Sequence, residues 1–210
     1  MLLHQLLNDY KLILASQSPR RRMLLEGLDL SFEVIVRENI DEKVPEGLLK
    51  TQIPVYLAQH KSDAYVDLLN TKTIVLTADT IVWINNRELG KPQNRNHAIE
   101  ILKELSGNIH EVVTGVCIRS SKQQHSFYSL SSVHFRKLTE QEIEYYIDKY
   151  QPFDKAGSYG IQEWIGYTAI EKIDGSFYNV MGLPVQALNN ELNRFIRNEK
   201  NKENSKYEKV

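Results

Sequence analysis

The chain has 210 residues, of which 41% are hydrophobic and 25% charged, and its formal net charge is −1 at pH 7. This size and composition fit one domain of ordinary size with a hydrophobic core and a polar surface. A near-neutral chain has no global basic field to attract nucleic acid or anionic membrane, so neither is expected as a partner. The single cysteine, Cys117, excludes an internal disulfide, and we expect a reducing, cytoplasmic environment.

The sequence predicts neither a membrane span nor a signal peptide. Its apolar runs are shorter than the roughly 18 residues that a membrane-spanning helix needs. The opening segment Met1–Leu7 has no basic region before its leucines, which is not the pattern of a signal peptide.

In the first part of the chain, strand and helix patterns alternate. Leu12–Ala15 reads as a short strand, and Ser18 followed by Pro19 is typical of a helix start with a capping serine. Phe32–Val36 predicts a second strand, and residues 51–69 predict a helix.

The rest of the chain continues with longer strands. It predicts a strand over 73–84, a hairpin turn at 85–88, a helix over 95–105 and strands over 110–119 and 126–138. A helix opened by the capping box Thr139–Glu142 follows. The last predicted elements are a hairpin around Asp174 and Gly175 and a helix from Pro184. The pattern indicates an α/β domain with a mixed sheet. Residues 198–210 are charged and poor in apolar side chains, so we expect a disordered tail there.

Asp79 is the most informative residue because it lies inside the apolar strand Thr73–Ile84. Apolar residues on both sides of it are typical of a strand that is covered on both faces. Burying a carboxylate there costs several kcal/mol unless a cation or several hydrogen bonds compensate it. The pattern favours a functional Asp79, and a structural role as a cap on neighbouring backbone stays open.

Three arginines follow the predicted helix start, at Arg20, Arg21 and Arg22. A helix N-terminus attracts anions, and cations placed there oppose its dipole unless an anion lies between them. This arrangement predicts a phosphate site, although Arg21 and Arg22 could instead simply face solvent.

Other segments carry weaker signals. Gly90-Lys91-Pro92 is not a P-loop, and Glu42 and Lys61 are unremarkable taken singly. The segment 152–162 combines proline, two glycines, Asp154 and Lys155 in a loop, where binding residues concentrate. The histidines lack zinc-site spacing, and the chain has no G-x-S-x-G or G-x-G-x-x-G motif.

Six motifs taken together resemble one family. In order they are Ser-Gln-Ser-Pro-Arg-Arg-Arg at 16–22, Ala-Asp-Thr at 78–80, Gly-Lys-Pro at 90–92, Leu-Ser-Gly at 105–107, Asp-Lys-Ala-Gly-Ser-Tyr-Gly-Ile-Gln at 154–162 and Gly-Leu-Pro at 182–184. The sequence is similar, over roughly residues 11–196, to the Maf family of nucleoside triphosphate pyrophosphatases.

The resemblance implies a fold and a reaction. The fold would be Maf-like and inosine triphosphatase-like, an elongated mixed β-sheet flanked by helices with an active-site cleft between two lobes, formed by a domain over residues 11–197. The reaction would convert a nucleoside triphosphate to the monophosphate and pyrophosphate, with Mg²⁺ or Mn²⁺ as cofactor. Arg20, Thr80 and Gln162 match the branch that acts on dTTP and UTP. The branch that acts on 7-methyl-GTP carries Trp, Gln and a Lys-Ser-Glu stretch there.

Residue roles are likewise implied by the resemblance. Asp79 would be the proton acceptor, and Glu42 and Asp79 would hold the metal or order the water. The substrate-binding residues would be Ser16, Arg20, Lys61, Thr80, Lys91, Asp154, Lys155 and Gln162.

Two alternatives stay open. One is a pyrophosphatase for a modified purine nucleotide, and the other is a non-catalytic nucleotide-binding regulator of septum formation. The presence of Glu42, Lys61, Asp79 and Lys91 together favours an active enzyme. A homodimer, and a role in clearing non-standard nucleotides or in arresting cell division, are left undecided by the sequence.

Overall fold

A computed structural model describes residues 2–207, which form seven strands and eight α-helices. The strands are β1 (Lys11–Leu14), β2 (Glu33–Val34), β3 (Thr73–Ile84), β4 (Arg87–Leu89), β5 (Ile109–Arg119), β6 (Gln124–Phe135) and β7 (Ile170–Asp174). The helices are α1 (Leu3–Leu6), α2 (Pro19–Glu26), α3 (Gln52–Asp63), α4 (Arg95–Leu105), α5 (Glu140–Tyr150), α6 (Trp164–Ala169), α7 (Phe177–Met181) and α8 (Val185–Tyr207).

All seven strands belong to one mixed sheet. The strand order is β2-β1-β3-β5-β6-β7, with β4 paired to β3. Strand β1 runs parallel to β2 and β3, whereas β4 and β7 are antiparallel to β3 and β6. The predicted α/β class with a mixed sheet is therefore confirmed.

The chain divides into two compact units. The first unit comprises the chain up to Asp79, Gly115–Tyr128 and the chain from Leu183 onwards. The second unit comprises Thr80–Thr114 and Ser129–Gly182. Strand β3 thus passes from the first unit to the second between Asp79 and Thr80. The cleft that the resemblance implies stays a prediction.

In the first unit, β1 and the first half of β3 form the centre of the core. Leu12, Leu14, Ile74 and Leu76 are each at most 1% exposed, as expected for strands covered on both faces. Helix α3 approaches β5 closely at Gly115, where a Cβ atom would lie 2.2 Å from the backbone carbon of Pro54. Only glycine leaves room for this approach.

In the second unit, two local predictions are confirmed. Asn85 and Asn86 have φ values of 49° and 60°, and they connect β3 to β4 in a tight hairpin. Helix α5 opens with the predicted capping box, in which Thr139 Oγ1 accepts from the Glu142 backbone and the Glu142 carboxylate accepts from the Thr139 backbone.

The predicted hairpin around Asp174 and Gly175 is wrong. Strand β7 pairs with β6, and the chain then enters α7 instead of a second strand. A helix cap at Ser176 and a buried amide at Asn179 favour α7 over a second strand. Ser176 Oγ accepts from the Asn179 backbone, and the Asn179 side chain donates to Val112 O and Ser131 Oγ. These contacts outweigh the local turn signal.

The C-terminal segment also differs from the expected disordered tail. Helix α8 continues to Tyr207, and Glu199 on it is fully buried and accepts a 2.5 Å hydrogen bond from Ser120 Oγ. Lys200 Nζ lies 3.5 Å from Asp9 Oδ2, beside the N-terminal segment. Residues 198–207 are thus helical, and Glu199 and Lys200 have buried and charged partners at the start of this segment. Residues 208–210 lie outside the described part of the chain. The domain boundary at residue 197 stays a prediction.

Within the described part of the chain, every helix is too short or too polar to cross a lipid bilayer.

Candidate active site

The first unit brings together Asp79, Lys61 and Glu42. Asp79 lies on β3, and its Oδ1 is 2.5 Å from the Nζ of Lys61, which lies in the last turn of α3. The same ammonium is 2.8 Å from Glu42 Oε1. The Asp79 and Lys61 side chains are only 13% and 16% exposed, whereas Glu42 is 56% exposed. The expected compensating cation for the carboxylate in the apolar strand is therefore Lys61.

A buried hydrogen bond fixes α3 against β3. Thr77, two residues before Asp79, donates from Oγ1 to the carbonyl of Ala58 at 2.6 Å. Ala58 precedes Lys61 by three residues, close to one helical turn, so the two lie on neighbouring faces of α3. This contact sets the position from which the lysine reaches the aspartate.

The start of α2 contributes a second group to the first unit. Ser18 caps the helix, and Ser16 Oγ accepts from the Ser18 backbone at 3.2 Å. Arg21 donates from Nη1 to the carbonyl of Ala78 at 2.8 Å and lies 3.5 Å from Ser16 Oγ. The predicted substrate residue Ser16 is thus connected, through Arg21, to the residue before Asp79.

Arg21 lies at the site although the resemblance assigns it no role. Burial lowers the pKa of its guanidinium, and the charges of Asp79 and Glu42 act in the opposite direction. The alternative that Arg21 faces solvent is wrong, because its side chain turns towards β3. Arg20 is half-buried, and its charge further lowers the pKa of Arg21. The triplet of arginines was the available signal, but sequence alone does not show which of them turns inward.

In the second unit, Thr80 belongs to a hydroxyl network. Its Oγ1 is 2.9 Å from Thr114 Oγ1 and 3.5 Å from the carbonyl of Gly182, and Thr114 in turn donates to the carbonyl of Asn179. These bonds connect β3, β5 and the end of α7. Thr80 thus has a structural role that the sequence did not indicate, and its predicted role in substrate binding stays a prediction.

The loop that follows α5 holds three other predicted residues. Lys155 Nζ is 2.7 Å from Asp154 Oδ1 and 3.2 Å from Glu163 Oε1, and its side chain is 10% exposed. Gln162 Oε1 is buried, and no described residue gives it a hydrogen bond. An unpartnered buried carbonyl oxygen is costly, so a ligand would satisfy it.

Lys91 is exposed on the surface of the second unit. It follows Gly90, whose carbonyl accepts a 3.2 Å hydrogen bond from the Gly157 backbone. The Gly-Lys-Pro motif and the loop that contains Lys155 are therefore neighbours in space. The exposed Lys91 is therefore close enough to that loop for its long side chain to contact an anion bound there.

Two carboxylates of the first unit could hold a divalent cation together with substrate phosphates. Among the described residues, no three histidine, cysteine, aspartate or glutamate side chains are arranged to hold a metal ion. Glu42 and Asp79 nonetheless supply two carboxylates around one point, where Lys61 Nζ now lies. Mg²⁺ is typically held by one or two carboxylates plus substrate phosphates, and this donor set matches that pattern.

The family model and the similar sequences that match this chain agree with each other. The family model described as Maf-like protein matches residues 11–195. A dTTP/UTP pyrophosphatase from Parabacteroides distasonis is 52% identical over 189 residues, covering 90% of this chain and 98% of that protein. A dTTP/UTP pyrophosphatase from Porphyromonas gingivalis is 51% identical over 191 residues, covering 90% and 96%. A solved HAM1 protein from Coxiella burnetii is 15% identical, with coverage of 60% and 73% and a TM-score of 0.40, which is too low to support a conclusion.

Proposed function

Because the chain belongs to the Maf family, we propose that it hydrolyses dTTP and UTP to the corresponding monophosphate and pyrophosphate. The observation that carries the proposal is the largely buried Asp79 carboxylate, held 2.5 Å from the Lys61 ammonium. The names of the relatives from Parabacteroides distasonis and Porphyromonas gingivalis support the choice of substrates.

In the proposed reaction, Asp79 accepts a proton from the attacking water. The water oxygen forms a bond to the α-phosphorus, the bond from that phosphorus to the α–β bridging oxygen breaks, and pyrophosphate leaves with the electron pair. Positioning and charge neutralisation supply most of the rate enhancement in such displacements. Lys61 compensates the charge of Asp79 in the free protein, and it can turn to the phosphates when substrate is bound.

The positive side chains of the first unit would bind phosphate oxygens. A triphosphate carries nearly four negative charges, and cations that contact it lower the cost of attack by a nucleophile. Arg20 and Lys61 are the first-unit residues that the resemblance assigns to this task. We add Arg21, because its guanidinium lies beside Ala78 and Ser16. Lys91 and Lys155 keep their assignment as substrate ligands from the second unit.

We propose Mg²⁺ or Mn²⁺ as the cofactor, held by Glu42 and Asp79. When bound, such an ion polarises a phosphoryl oxygen or a water and neutralises charge on the phosphates. The two carboxylates would set its place, and Lys61 would move from between them.

For the base, we propose that Gln162 recognises thymine and uracil. Both bases present an N3–H donor next to an O4 acceptor, and cytosine reverses this pattern. The unpartnered Oε1 of Gln162 can accept from N3–H, while its amide nitrogen donates to O4. A mismatch leaves buried polar groups unpaired, which costs about 1–3 kcal/mol for each group. Discrimination of about ten- to a hundredfold against CTP follows.

The deciding experiment measures pyrophosphate release from a panel of nucleoside triphosphates, including CTP, GTP and modified purines. We expect dTTP and UTP to react fastest and within about tenfold of each other, since one methyl group changes binding little. Gln162→Ala should flatten this preference more than it lowers the best rate. Gln141→Ala, an exposed amide on α5, is the control.

Three results would contradict the proposal in different ways. A preference for GTP derivatives would reassign the base pocket to purines. Release of pyrophosphate from no nucleotide would favour the non-catalytic regulator. Unchanged selectivity in Gln162→Ala would remove Gln162 from base recognition.

A further inference from the structure

The second unit contains a buried polar network that the proposed reaction does not use. It runs from Tyr146 on α5 through Glu163, which precedes α6, to Lys155. Tyr146 is fully buried, and its hydroxyl donates to Glu163 Oε2. The other carboxylate oxygen, Oε1, is 3.2 Å from Lys155 Nζ. One carboxylate thus bridges a phenol and an ammonium.

The network places two opposite charges where little water reaches them. The Glu163 and Lys155 side chains are 18% and 10% exposed, so both charges have lost most of their water. Lys155 Nζ also lies 2.7 Å from Asp154 Oδ1, which is 58% exposed, so removing Glu163 leaves the buried lysine with a partner that is mostly in water, while removing Lys155 leaves the charge of Glu163 uncompensated within the described part of the chain. Burial and the neighbouring Glu163 raise the pKa of Tyr146, so its hydroxyl stays a donor to the carboxylate.

The same hydroxyl also holds the loop that contains Gln162. Gly160 donates its backbone N–H to Tyr146 Oη at 3.0 Å, and Glu163 donates its backbone N–H to the carbonyl of Gly160 at 2.9 Å. Residues 160 and 163 are therefore both fixed, one on each side of Gln162. A Cβ atom at position 160 would lie 2.8 Å from Cδ of Glu163, so glycine also makes room for the carboxylate.

We propose that Glu163 and Tyr146 are positioning residues for substrate binding. Glu163, together with Asp154, fixes the Lys155 ammonium, and Tyr146 fixes Glu163. Tyr146 and Glu163 also hold the backbone on both sides of Gln162, whose Oε1 accepts from no described residue. They thereby set the affinity for the nucleotide and the selectivity for its base. This inference rests on the proposed pyrophosphatase function, and it adds two residues that the sequence motifs did not indicate.

The first test is kinetic and uses the full-length protein with dTTP, UTP and CTP. Glu163→Gln keeps the shape and the acceptor for Tyr146 but removes the charge opposite Lys155. We expect KM for dTTP and UTP to rise about tenfold, the effect of losing one charge-assisted hydrogen bond, with a smaller change in kcat. Tyr146→Phe should give a smaller rise in KM and reduced selectivity against CTP, and it serves as a second variant if Glu163→Gln does not fold.

A double-mutant cycle with Lys155→Met separates positioning from general loss of stability. If Glu163 acts through Lys155, Glu163→Gln has little further effect on KM in the Lys155→Met background. The controls are Glu171→Gln and Tyr167→Phe, two exposed side chains of the same unit, which should leave KM unchanged. Additive effects of the two substitutions, or an unchanged KM in Glu163→Gln, would overturn the proposal.

The second test does not depend on activity. An amine-reactive reagent labels lysines according to their accessibility, and mass spectrometry compares Lys155 with the exposed Lys172 in the same sample. We expect Lys155 to react several-fold faster in Glu163→Gln and in Tyr146→Phe than in wild type, and Lys172 to be unchanged. Equal labelling of Lys155 in all variants would overturn its positioning by Glu163. A wild type that releases no pyrophosphate would instead overturn the proposed function, while the labelling result would still decide the positioning.

Discussion

At the scale of single residues, the site depends on how one carboxylate is compensated. Asp79 is 13% exposed and shares the Lys61 ammonium with the more exposed Glu42. Lys61 therefore contacts both carboxylates at once, and the charge of Arg21 also interacts with both of them. In the proposed reaction, a metal ion would take the place of Lys61 between the two carboxylates, and Lys61 would pair with the triphosphate.

Replacing Asp79 with asparagine tests the proton acceptor. Asparagine still accepts a hydrogen bond from Lys61, so we expect the fold and, at saturating Mg²⁺, the KM to be retained. Turnover should fall by at least about a hundredfold, the usual effect of removing a positioned base or electrostatic group. Rates of pyrophosphate release and the melting temperature would be measured together. Asp67→Asn removes an exposed carboxylate that pairs with Arg37 and should leave turnover unchanged. A near-normal rate in Asp79→Asn would make Asp79 structural.

Removing the divalent metal ion and adding it back tests whether the reaction needs it. We expect a chelator to abolish pyrophosphate release and Mg²⁺ or Mn²⁺ to restore it, because carboxylate and phosphate oxygens suit these ions. Glu42→Gln should raise the metal concentration needed for half-maximal activity, since one of two proposed protein ligands loses its charge. Glu46→Gln, in the same exposed segment, is the control. Full activity in the presence of chelator would leave the charge compensation to lysine and arginine alone.

At the scale of elements, the sequence predicts those features that local contacts determine. The hairpin at Asn85 and Asn86 and the capping box at Thr139 form from neighbours in the chain, and both are confirmed. Helix α7 could not be predicted in this way, because Asn179 is held by Val112 and Ser131, far away in the sequence. For the same reason, the motifs give the residue types of the site but do not show that Arg21 turns inward.

Glu142, at the start of α5, makes the stability of the folded protein depend on pH. A hydrogen bond from Arg136, and further ones from Thr139, lower the pKa of Glu142 to about 2, from an ordinary value of 4.5. A carboxyl whose pKa is lower in the folded state contributes stability that is fully present above pH 4.5 and is lost as the pH falls through about 2.

We therefore expect Glu142→Gln to lose less stability than wild type over this acid range. Urea denaturation at a series of pH values would show that the free energy of unfolding of Glu142→Gln falls less steeply with decreasing pH than that of wild type. Glu144→Gln, an exposed position on the same helix, should follow wild type. An identical loss of stability in Glu142→Gln and wild type would mean that another group dominates the acid dependence of stability.

At the scale of the whole molecule, the family match over residues 11–195 leaves out two segments that the structure packs together. Lys200 lies beside Asp9 and over the ring of Tyr10, and Glu199 is buried against Ser120. Both segments belong to the first unit, so they contribute to its core. A homodimer and a cytoplasmic location stay predictions at this scale.

Truncation tests this contribution. Ending the chain after Arg197 removes Glu199 and Lys200, and we expect the melting temperature to fall by about 3–10 °C, the effect of losing one or two charge-assisted contacts in a protein of this size. Ending it after Asn201 keeps both residues and should change the melting temperature little. Equal melting temperatures for the two truncated proteins would show that these contacts contribute nothing.

The close approach at Gly115 affects how mutational data on this protein must be interpreted. A methyl group at position 115 would push against Pro54, so helix α3 would shift outward and take Lys61 with it. A shift of about 1 Å can cost about a hundredfold in rate. We expect Gly115→Ala to lose turnover although position 115 has no functional group, and a crystal structure of the variant would show a longer distance from Lys61 Nζ to Asp79 Oδ1. Loss of activity in Gly115→Ala would thus report the spacing between α3 and β5. A mutational scan that measures activity alone would wrongly assign Gly115 a chemical role.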